Sequence, residues 1–447
     1  MTSDLLAPLD LAFWSIESDR HPMHLGALGV FAADSPGAAR HAAELLATRS
    51  VAVPGLRMRI RDAWPPFGGA VRAPDVHFDP ARHVHLAGVA RDFHVAAGEL
   101  MERPLNRARP PWEVHVLPDE DGTSFAVLFK FHHALADGLR ALTLAAGVMD
   151  PLPETAPRRP KPAPAPANGT GPGPRVPDLA GTLDLVRRRV GEVGQALDIG
   201  ASVARATLGF LDTAPALTAH ATGTRRTAGV VVDIDDIHRI RKGTGGTVND
   251  VLIAAVAGAL RRWLTGRGES GDGVRPRALI PVSRRRPRDA QPGGNRLSGY
   301  LIRLPVAEPD PLERLRLVRT AMDRNKDAGP NRGAGAVALL ADHVPPFGHR
   351  LGGPVVAQAA RLLFDILVTS VPLPGLGLRL GGCPLTAVYP FAPLAQGQSL
   401  AVAVSTYRGN VHYGLIADAE AVPDLDHLAE ALRVEIAELG EAAEGAG

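Results

Sequence analysis

Hydrophobic residues between Thr247 and Leu264 recur every three or four positions, which is the spacing of one face of an α-helix. Arg261 and Arg262 stand in the last turn of this stretch, where the helix dipole favours cations. The pattern therefore predicts an amphipathic helix that packs against a core. Its apolar stripe consists of Val251, Leu252, Ala255, Val256, Ala259, Leu260 and Trp263.

A second pattern joins a strand to a helix in the first half of the chain. Ser124 to Phe131 (SFAVLFKF) is a short run rich in Phe and Val, which predicts a largely buried strand that leads directly into His132. After Asp137, apolar residues at helical spacing predict a helix, and they are Leu139, Leu142, Ala145 and Ala146. Asp137 is therefore expected at a strand-to-helix turn, where its carboxylate can cap the helix.

Further short hydrophobic segments, bounded by Gly, Pro or Asn, are typical of strands. They are Ala278 to Val282, Tyr300 to Val306, Ile366 to Val371, Leu400 to Tyr407 and Val411 to Ala417. Because strands and helices intermix in both halves of the chain, the sequence predicts the α/β fold class, with a pair of α/β layers.

A Pro/Ala/Gly tract from Pro151 to Asp178 divides these halves. Such a tract cannot hold a helix or a central strand, so we expect an exposed linker at 151–178 between an N-terminal lobe (1–150) and a C-terminal lobe (179–447). Beyond it, Leu183 to Leu211 has a helical apolar stripe beside Arg187, Arg188 and Arg189. Core packing is the favoured explanation of that stripe, and contact with an anionic lipid surface is left open.

Composition excludes several classes of protein. The formal net charge is +2, and the positive charge is almost all arginine without interleaved aromatic residues, which does not indicate nucleic-acid binding. Cys383 is the only cysteine, so no internal disulfide can form. No secretory signal is expected at the N-terminus, and the longest apolar runs are about half of the roughly 20 residues that a membrane span requires. We therefore expect a cytoplasmic protein, with peripheral association at the inner membrane or lipid droplets left open.

Candidate chemistry lies where the predicted strand ends, in the sequence His132, His133, Ala134, Leu135, Ala136, Asp137, Gly138. A hydroxyl group that acts as a nucleophile requires a base that removes its proton, and histidine is suited to this near neutral pH. His133 is the preferred base, because His132 is expected to pack or hydrogen-bond. Gly138 allows close approach of backbone or substrate.

Other interpretations of these residues are less favoured. Metal binding is disfavoured because neighbouring strand residues point to opposite faces and no third-ligand motif stands nearby. Counted from His132, the sequence also fits the H-x4-D pattern of glycerolipid acyltransferases, but without their accompanying motif. Covalent catalysis lacks a G-x-S-x-G elbow, and Cys383 lies in a Gly-Gly-Cys-Pro turn where it is expected to be incidental.

Several further blocks make the chain resemble the bacterial wax ester synthase/diacylglycerol acyltransferase family along almost its whole length. In the first half they are PLDLAFW (8–14), PMHLG (22–26), Phe78-Asp79 with His83-Val84, and PLNR with RPPWE (104–113), all before HHxxxDG. In the second half they are TVNDV (247–251), Pro281-Val282-Ser283 with Arg285, Gly294-Asn295-Arg296, and Tyr407-Arg408-Gly409 with Gly414 and Asp418.

This resemblance implies two lobes like those of chloramphenicol acetyltransferase and condensation domains, with a tunnel between them. It implies His133 as general base and a structural Asp137 paired to an arginine, for which Arg285 is the candidate. Asn249 and Asp250 are expected either beside the tunnel or simply as helix caps. Arg284, Arg285, Arg286 and Arg288 are expected either at the phosphates of coenzyme A or in solvent. Oxyanion donors are expected at the helix that begins at Thr247 or at the Gly138 backbone.

Two departures from the family pattern leave the substrate open. Ser370-Val371-Pro372-Leu373-Pro374-Gly375 stands where an NVPGP-like turn is usual, and Asn106 stands where Asp is usual. Neither falls on the proposed base. The expected function is attack of a fatty alcohol or diacylglycerol hydroxyl on a long-chain acyl-CoA, without a covalent intermediate and without a permanently bound cofactor or metal. The alternatives are a specialised-metabolite O-acyltransferase and a non-catalytic lipid-binding protein.

Overall fold

A computed structural model describes residues 4–63, 69–150, 215–218, 222–283, 297–328, 364–371, 373 and 377–445. The predicted linker and the predicted helix at 183–211 lie outside these ranges. The helices within them are α1 (Pro8–Ile16), α2 (Ala38–Ser50), α3 (Phe93–Glu102), α4 (Gly138–Ala146), α5 (Ile234–Thr244), α6 (Val248–Gly266), α7 (Pro311–Ala328) and α8 (Leu425–Gly445).

The strands form two six-stranded sheets and a small three-stranded one. In chain order they are β1 (Asp4–Leu5), β2 (His24–Ala32), β3 (Met58–Asp62), β4 (Ala70–Pro74), β5 (Val84–Leu86), β6 (Trp112–Pro118), β7 (Ser124–His132), β8 (Arg226–Asp233), β9 (Arg277–Ser283), β10 (Leu297–Arg303), β11 (Ile366–Ser370), β12 (Arg379–Leu380), β13 (Cys383–Phe391), β14 (Leu400–Tyr407) and β15 (Asn410–Ala417). Short 3-10 turns stand at Pro54–Arg57, Pro80–Arg82 and Pro215–Leu217.

The first large sheet has the order β12-β13-β2-β7-β6-β5. Its central strand β7 is buried along nearly its whole length, which explains why its sequence is almost continuously hydrophobic. One core of this lobe packs the sheet against α2 and α4, and a second core lies on residues of α3. Strands β12 and β13 come from the last quarter of the chain, so this sheet draws on both sides of the boundary that the linker marks in sequence.

The second large sheet has the order β10-β9-β11-β14-β15-β8, with β11 parallel to both β9 and β14. Helices α6 and α8 pack on it and against each other. Gly258 in α6 allows this contact, since a Cβ there would lie 2.0 Å from the carboxyl carbon of Glu435 in α8. The same carboxylate forms a buried ion pair with Arg314 of α7, which ties three helices together.

The two lobes meet where β13 of the first sheet crosses β14 and β15 of the second. The approach is close, because a Cβ on Gly414 would lie 2.0 Å from the carbonyl oxygen of Pro390. At a second contact, the buried guanidinium of Arg225 donates to the carbonyl of Arg20 (2.8 Å) and lies 3.8 Å from Asp418. Backbone contacts and one buried cation therefore fix the two lobes against each other.

Most predicted elements are confirmed, and one boundary is wrong. The strand from Ser124, the helix after Asp137, the helix from Thr247 and the other four predicted strands all form. The strand predicted at Tyr300 to Val306 instead spans Leu297–Arg303, because it pairs with β9 through Arg303 and then enters a turn at Pro305.

Among the described residues, no single helix is long and apolar enough to cross a membrane. Helices α5 and α6 pass that length-and-hydropathy test only as a pair, which is bent by 100°. Most residues of α6 are buried in the core of the second lobe.

Candidate active site

The chain turns sharply where β7 ends and α4 begins. The amide of Leu135 donates to the carbonyl of His132 (2.8 Å), which closes the turn. Asp137 is the N-cap of α4, and its side chain accepts a hydrogen bond from the amide of Arg140 (2.8 Å). The predicted capping role of Asp137 is therefore confirmed, and the cap holds the loop from His132 to Gly138 on the end of the sheet.

His132 is fully buried inside this turn. Its Nδ1 accepts a hydrogen bond from the amide of Ala134 (3.0 Å), so the proton of the neutral ring belongs on Nε2. That Nε2 faces a carboxylate oxygen of Glu17 at 3.4 Å, and the ring meets Trp14 edge-on with centroids 4.9 Å apart. His132 is therefore held on every side and supports the site without reaching solvent.

His133 has a different environment. Its ring is only partly buried and stacks on Phe13 with centroids 4.0 Å apart and an interplanar angle of 21°. Its amide donates to the carbonyl of Met23 (2.8 Å), which fixes the backbone. Burial lowers the pKa of His133 to about 4, so the ring is uncharged at neutral pH. An uncharged imidazole is the form that accepts a proton.

A buried ion pair supports the loop from below. One guanidinium nitrogen of Arg72, in β4, donates to Asp10 of α1 (2.6 Å) and to the carbonyl of Ala134 (2.7 Å). Asp10 is fully buried, so removing either partner would leave a charge in the interior. The first helix and the small sheet thereby hold the centre of the histidine loop.

Gly138 brings the second lobe to this loop. A Cβ on Gly138 would lie 3.3 Å from Cγ2 of Val371, the residue that follows β11. Leu373, two residues further along, packs against the hydrophobic core of the first lobe. The segment that departs from the family pattern at Ser370 to Gly375 therefore contacts the start of α4.

The other departure, Asn106, has a local explanation. Its side-chain oxygen accepts a hydrogen bond from the amide of Ala108 (2.9 Å), as an aspartate oxygen can equally do. Arg107 beside it stacks its guanidinium over Trp14 at 3.6 Å from the ring centroid and donates to the Trp14 carbonyl. The PLNR block thus supports α1, which carries the ring that touches His132.

Asn249 and Asp250 lie in the first turn of α6. Asp250 is buried and accepts a hydrogen bond from the amide of Thr247 (2.8 Å), while the Thr247 hydroxyl accepts one from the amide of Asp250 (3.2 Å). This capping box confirms the cap interpretation for Asp250. A place beside a tunnel remains a prediction for both residues, and Arg284, Arg285 and Arg286 lie outside the described residues.

Cys383 is poorly suited to nucleophilic attack. Its thiol is buried, and burial raises its pKa, so the thiolate is disfavoured. Its Sγ lies 3.7 Å from Oδ1 of Asp34. Within the described part of the chain, no group of three or more His, Cys, Asp or Glu residues is arranged to hold a metal ion.

Five residues of this site were not singled out from the sequence: Asp10, Phe13, Trp14, Glu17 and Arg72. Asp10, Phe13 and Trp14 belong to the PLDLAFW block, so the block itself was the available signal. Glu17 and Arg72 carry no local signal, because each reaches the loop only through the tertiary fold.

Comparison with known proteins first defines the class. The fold matches a wax ester synthase/diacylglycerol acyltransferase from Marinobacter aquaeolei with a TM-score of 0.71 and 22% identity, over 99% of this chain and 100% of that one. It also matches the starter condensation domain of rhizomide synthetase, solved in complex with C8-CoA, with a TM-score of 0.53 and 14% identity, over 98% of this chain and 94% of that one. The fold is that of the two-lobed acyltransferases.

The family follows from sequence. Residues 6–252 match the wax ester synthase/diacylglycerol acyltransferase catalytic domain, and residues 293–440 match the C-terminal domain of the same family. A probable diacylglycerol O-acyltransferase of Mycobacterium tuberculosis, tgs2, is 30% identical over 98% of this chain and 99% of its own length. The chain belongs to the wax ester synthase/diacylglycerol acyltransferase family and is an acyl-CoA-dependent O-acyltransferase.

Proposed function

We propose that this enzyme transfers a long-chain acyl group from acyl-CoA to the hydroxyl of a lipophilic alcohol, either diacylglycerol or a fatty alcohol. The products are triacylglycerol or a wax ester, and free coenzyme A. Full-length similarity to proteins named diacylglycerol O-acyltransferases supports this acceptor class. Acyl-CoA acts as co-substrate, and the proposal requires no permanently bound cofactor.

His133 acts as the general base in this proposal. It removes the hydroxyl proton as the alcohol oxygen attacks the thioester carbonyl, which gives a tetrahedral intermediate. Collapse of that intermediate breaks the carbon–sulfur bond, and the imidazolium returns the proton to the departing thiolate. Backbone N–H groups at the start of α4, beginning with Gly138, are candidates to stabilise the oxyanion.

One observation carries the proposal. His133 is a partly exposed imidazole on a loop whose other end, Gly138, lies against Val371 of the second lobe. A base at the junction of two lobes is suited to a reaction that brings together two large substrates. His132 is fully buried, and its Nδ1 already accepts a hydrogen bond from the amide of Ala134.

Release of coenzyme A tests the proposal directly. Purified protein is given palmitoyl-CoA with hexadecanol, dipalmitoylglycerol or a panel of small polar alcohols, and free thiol is followed with a colorimetric reagent. We expect release that depends on a long-chain acceptor, together with the ester detected by chromatography. Absence of release with every acceptor would contradict the proposal and favour a lipid-binding protein.

A second candidate is a specialised-metabolite O-acyltransferase that uses the same base. The observation that favours it is the departing segment, in which Val371 lies against the start of α4 and Leu373 packs on the core of the first lobe. Release of coenzyme A only with polar acceptors would select this candidate. Peripheral association with a membrane or lipid droplets belongs to the first candidate, and co-sedimentation with anionic vesicles measures it.

A further inference from the structure

Glu17 occupies an unusual position beside the histidine pair. It follows the last residue of α1, and its side chain is only 6% exposed. One carboxylate oxygen accepts a hydrogen bond from the amide of Met23 (3.1 Å). The other faces Nε2 of His132 at 3.4 Å. A buried acid in contact with this loop therefore presents one oxygen to the Met23 amide and the other to His132, with the guanidinium of Arg107 3.8 Å from that second oxygen.

These contacts reach both histidines. Toward His132 the contact is direct. Toward His133 it passes through Met23, whose amide donates to Glu17 and whose carbonyl accepts from the amide of His133 (2.8 Å). The residues just before Glu17 complete the enclosure, since Phe13 stacks on the ring of His133 and Trp14 meets the ring of His132.

The tautomer of His132 determines what the contact between Glu17 and Nε2 of His132 does. Nδ1 of His132 accepts from the amide of Ala134, so Nε2 must carry the proton of the neutral ring. Among the described residues, that nitrogen makes no hydrogen bond, and the carboxylate of Glu17, 3.4 Å away, is the acid that faces it. Moving the proton to Nδ1 would place two donors against each other at Ala134 and open the turn that leads to Asp137.

We propose that Glu17 is a positioning residue for acyl transfer, which fixes the tautomer of His132 and, through Met23, the backbone of His133. This inference deepens the proposed function and rests on His133 as the base. Its chemical requirement is two acceptor oxygens at one place, which a carboxylate supplies and a carboxamide does not.

Glu17→Gln tests this requirement. The amide has one acceptor oxygen and one NH2 donor, so either Met23 or His132 loses its acceptor. An unsatisfied buried donor of this kind is expected to lower kcat by about tenfold or more, with KM for palmitoyl-CoA changed by less than about threefold. Glu17→Asp keeps both oxygens and is expected to recover part of the lost kcat.

Glu113→Gln is the matched control. Glu113 is a mostly buried acid of the neighbouring strand, and its carboxylate lies 3.4 Å from Nε2 of His115, which repeats the Glu–His separation with a histidine outside the histidine loop. We expect the control to keep kcat within about twofold. Equal loss of kcat and of melting temperature in both variants would show a general packing effect and overturn the proposal.

A measurement on the unmodified protein separates this inference from the proposed function. In protein labelled with 15N-histidine, long-range 1H–15N correlations report the tautomer of each neutral ring, and His132→Gln identifies the signal of His132. We expect the Nε2–H tautomer for His132 in the wild type and its loss in Glu17→Gln. An Nδ1–H ring in the wild type, or an unchanged tautomer in Glu17→Gln, would overturn the inference whatever acceptor the enzyme uses.

Discussion

His133 is the residue on which the mechanism depends, and its environment allows a substitution that does not disturb the fold. Because its ring is partly exposed, His133→Ala should leave the fold intact. Loss of a general base is expected to lower kcat by roughly 10²–10⁴-fold. Coenzyme A release and the thermal melt are measured together, with the exposed His77→Ala as control. Near-normal activity in His133→Ala would rule out this mechanism.

His412 provides a test of stability against pH. It is fully buried, and neither ring nitrogen has a hydrogen-bond partner among the described residues. Burial lowers its pKa to about 4, from 6.5 in an ordinary ring. Between pH 6.5 and about 4, His412 is therefore protonated in the unfolded chain but neutral in the folded protein. The free energy of unfolding is at its full value above pH 6.5 and decreases as the pH falls toward 4.

Protonation of His412 is expected to lower the free energy of unfolding by up to about 3 kcal/mol. Unfolding of the wild type and of His412→Leu in urea at pH 7.5, 5.5 and 4.5 measures it. Because the pKa of His133 is also lowered, His412→Leu should still lose stability in acid, but less steeply than the wild type. Parallel curves for the two proteins would show that His412 does not titrate in this range.

Residues of the site that are adjacent in the chain can be predicted from the sequence, whereas residues that meet only through the fold cannot. His132, His133 and Asp137 share one motif, and the helix cap at Asp137 follows from residue type and position alone. Glu17 and Arg72 reach the same loop from α1 and β4, and no local sequence pattern predicts that they contact His132 and Ala134. Their roles depend on sheet pairing, which a single sequence does not specify.

At the scale of elements, the start of α4 and the end of β11 form the contact between the site and the second lobe. In Gly138→Ala the new Cβ would lie 3.3 Å from Val371, which is too close without a small shift. We expect a loss of about 1 kcal/mol of transition-state stabilisation, roughly fivefold in kcat, with the helix itself slightly stabilised.

The double variant Gly138→Ala/Val371→Ala tests the cause of that loss. Val371→Ala removes the methyl groups that crowd the new Cβ, so activity should return toward that of Val371→Ala alone. The measurement is a double-mutant cycle on kcat. Losses that simply add would mean that Val371 does not limit the position of α4.

Elements with a strong local pattern were predicted well, and β13 shows why others were not. Its sequence CPLTAVYPF contains Pro384 and Pro390, which argue against a strand because proline lacks an N–H donor. The fold accommodates Pro390 because β12 pairs only with Cys383 and Pro384, at the start of β13, and Pro384 lies at that same end of the strand. A register irregularity between Leu385 and Ala387 further marks this strand as locally distorted.

At the scale of the whole molecule, β13 joins the two lobes. It pairs with β2 in the first sheet, while the carbonyl of Pro390 lies against Gly414 in the second. Since a strand of the second half completes the sheet of the first, the first lobe is not complete without the second half of the chain. We therefore infer that the lobes unfold together.

Gly414→Ala tests this coupling. The added Cβ would lie 2.0 Å from a backbone oxygen, which cannot rotate away as a side chain could, so the lobes must separate slightly. We expect a loss of roughly 1–3 kcal/mol in the free energy of unfolding, in one transition, with reduced acyl transfer. Gly440→Ala is the control, since a Cβ there meets no atom within 4 Å and alanine favours the helix. Two separate transitions in Gly414→Ala would show that the lobes fold independently and that β13 does not couple them.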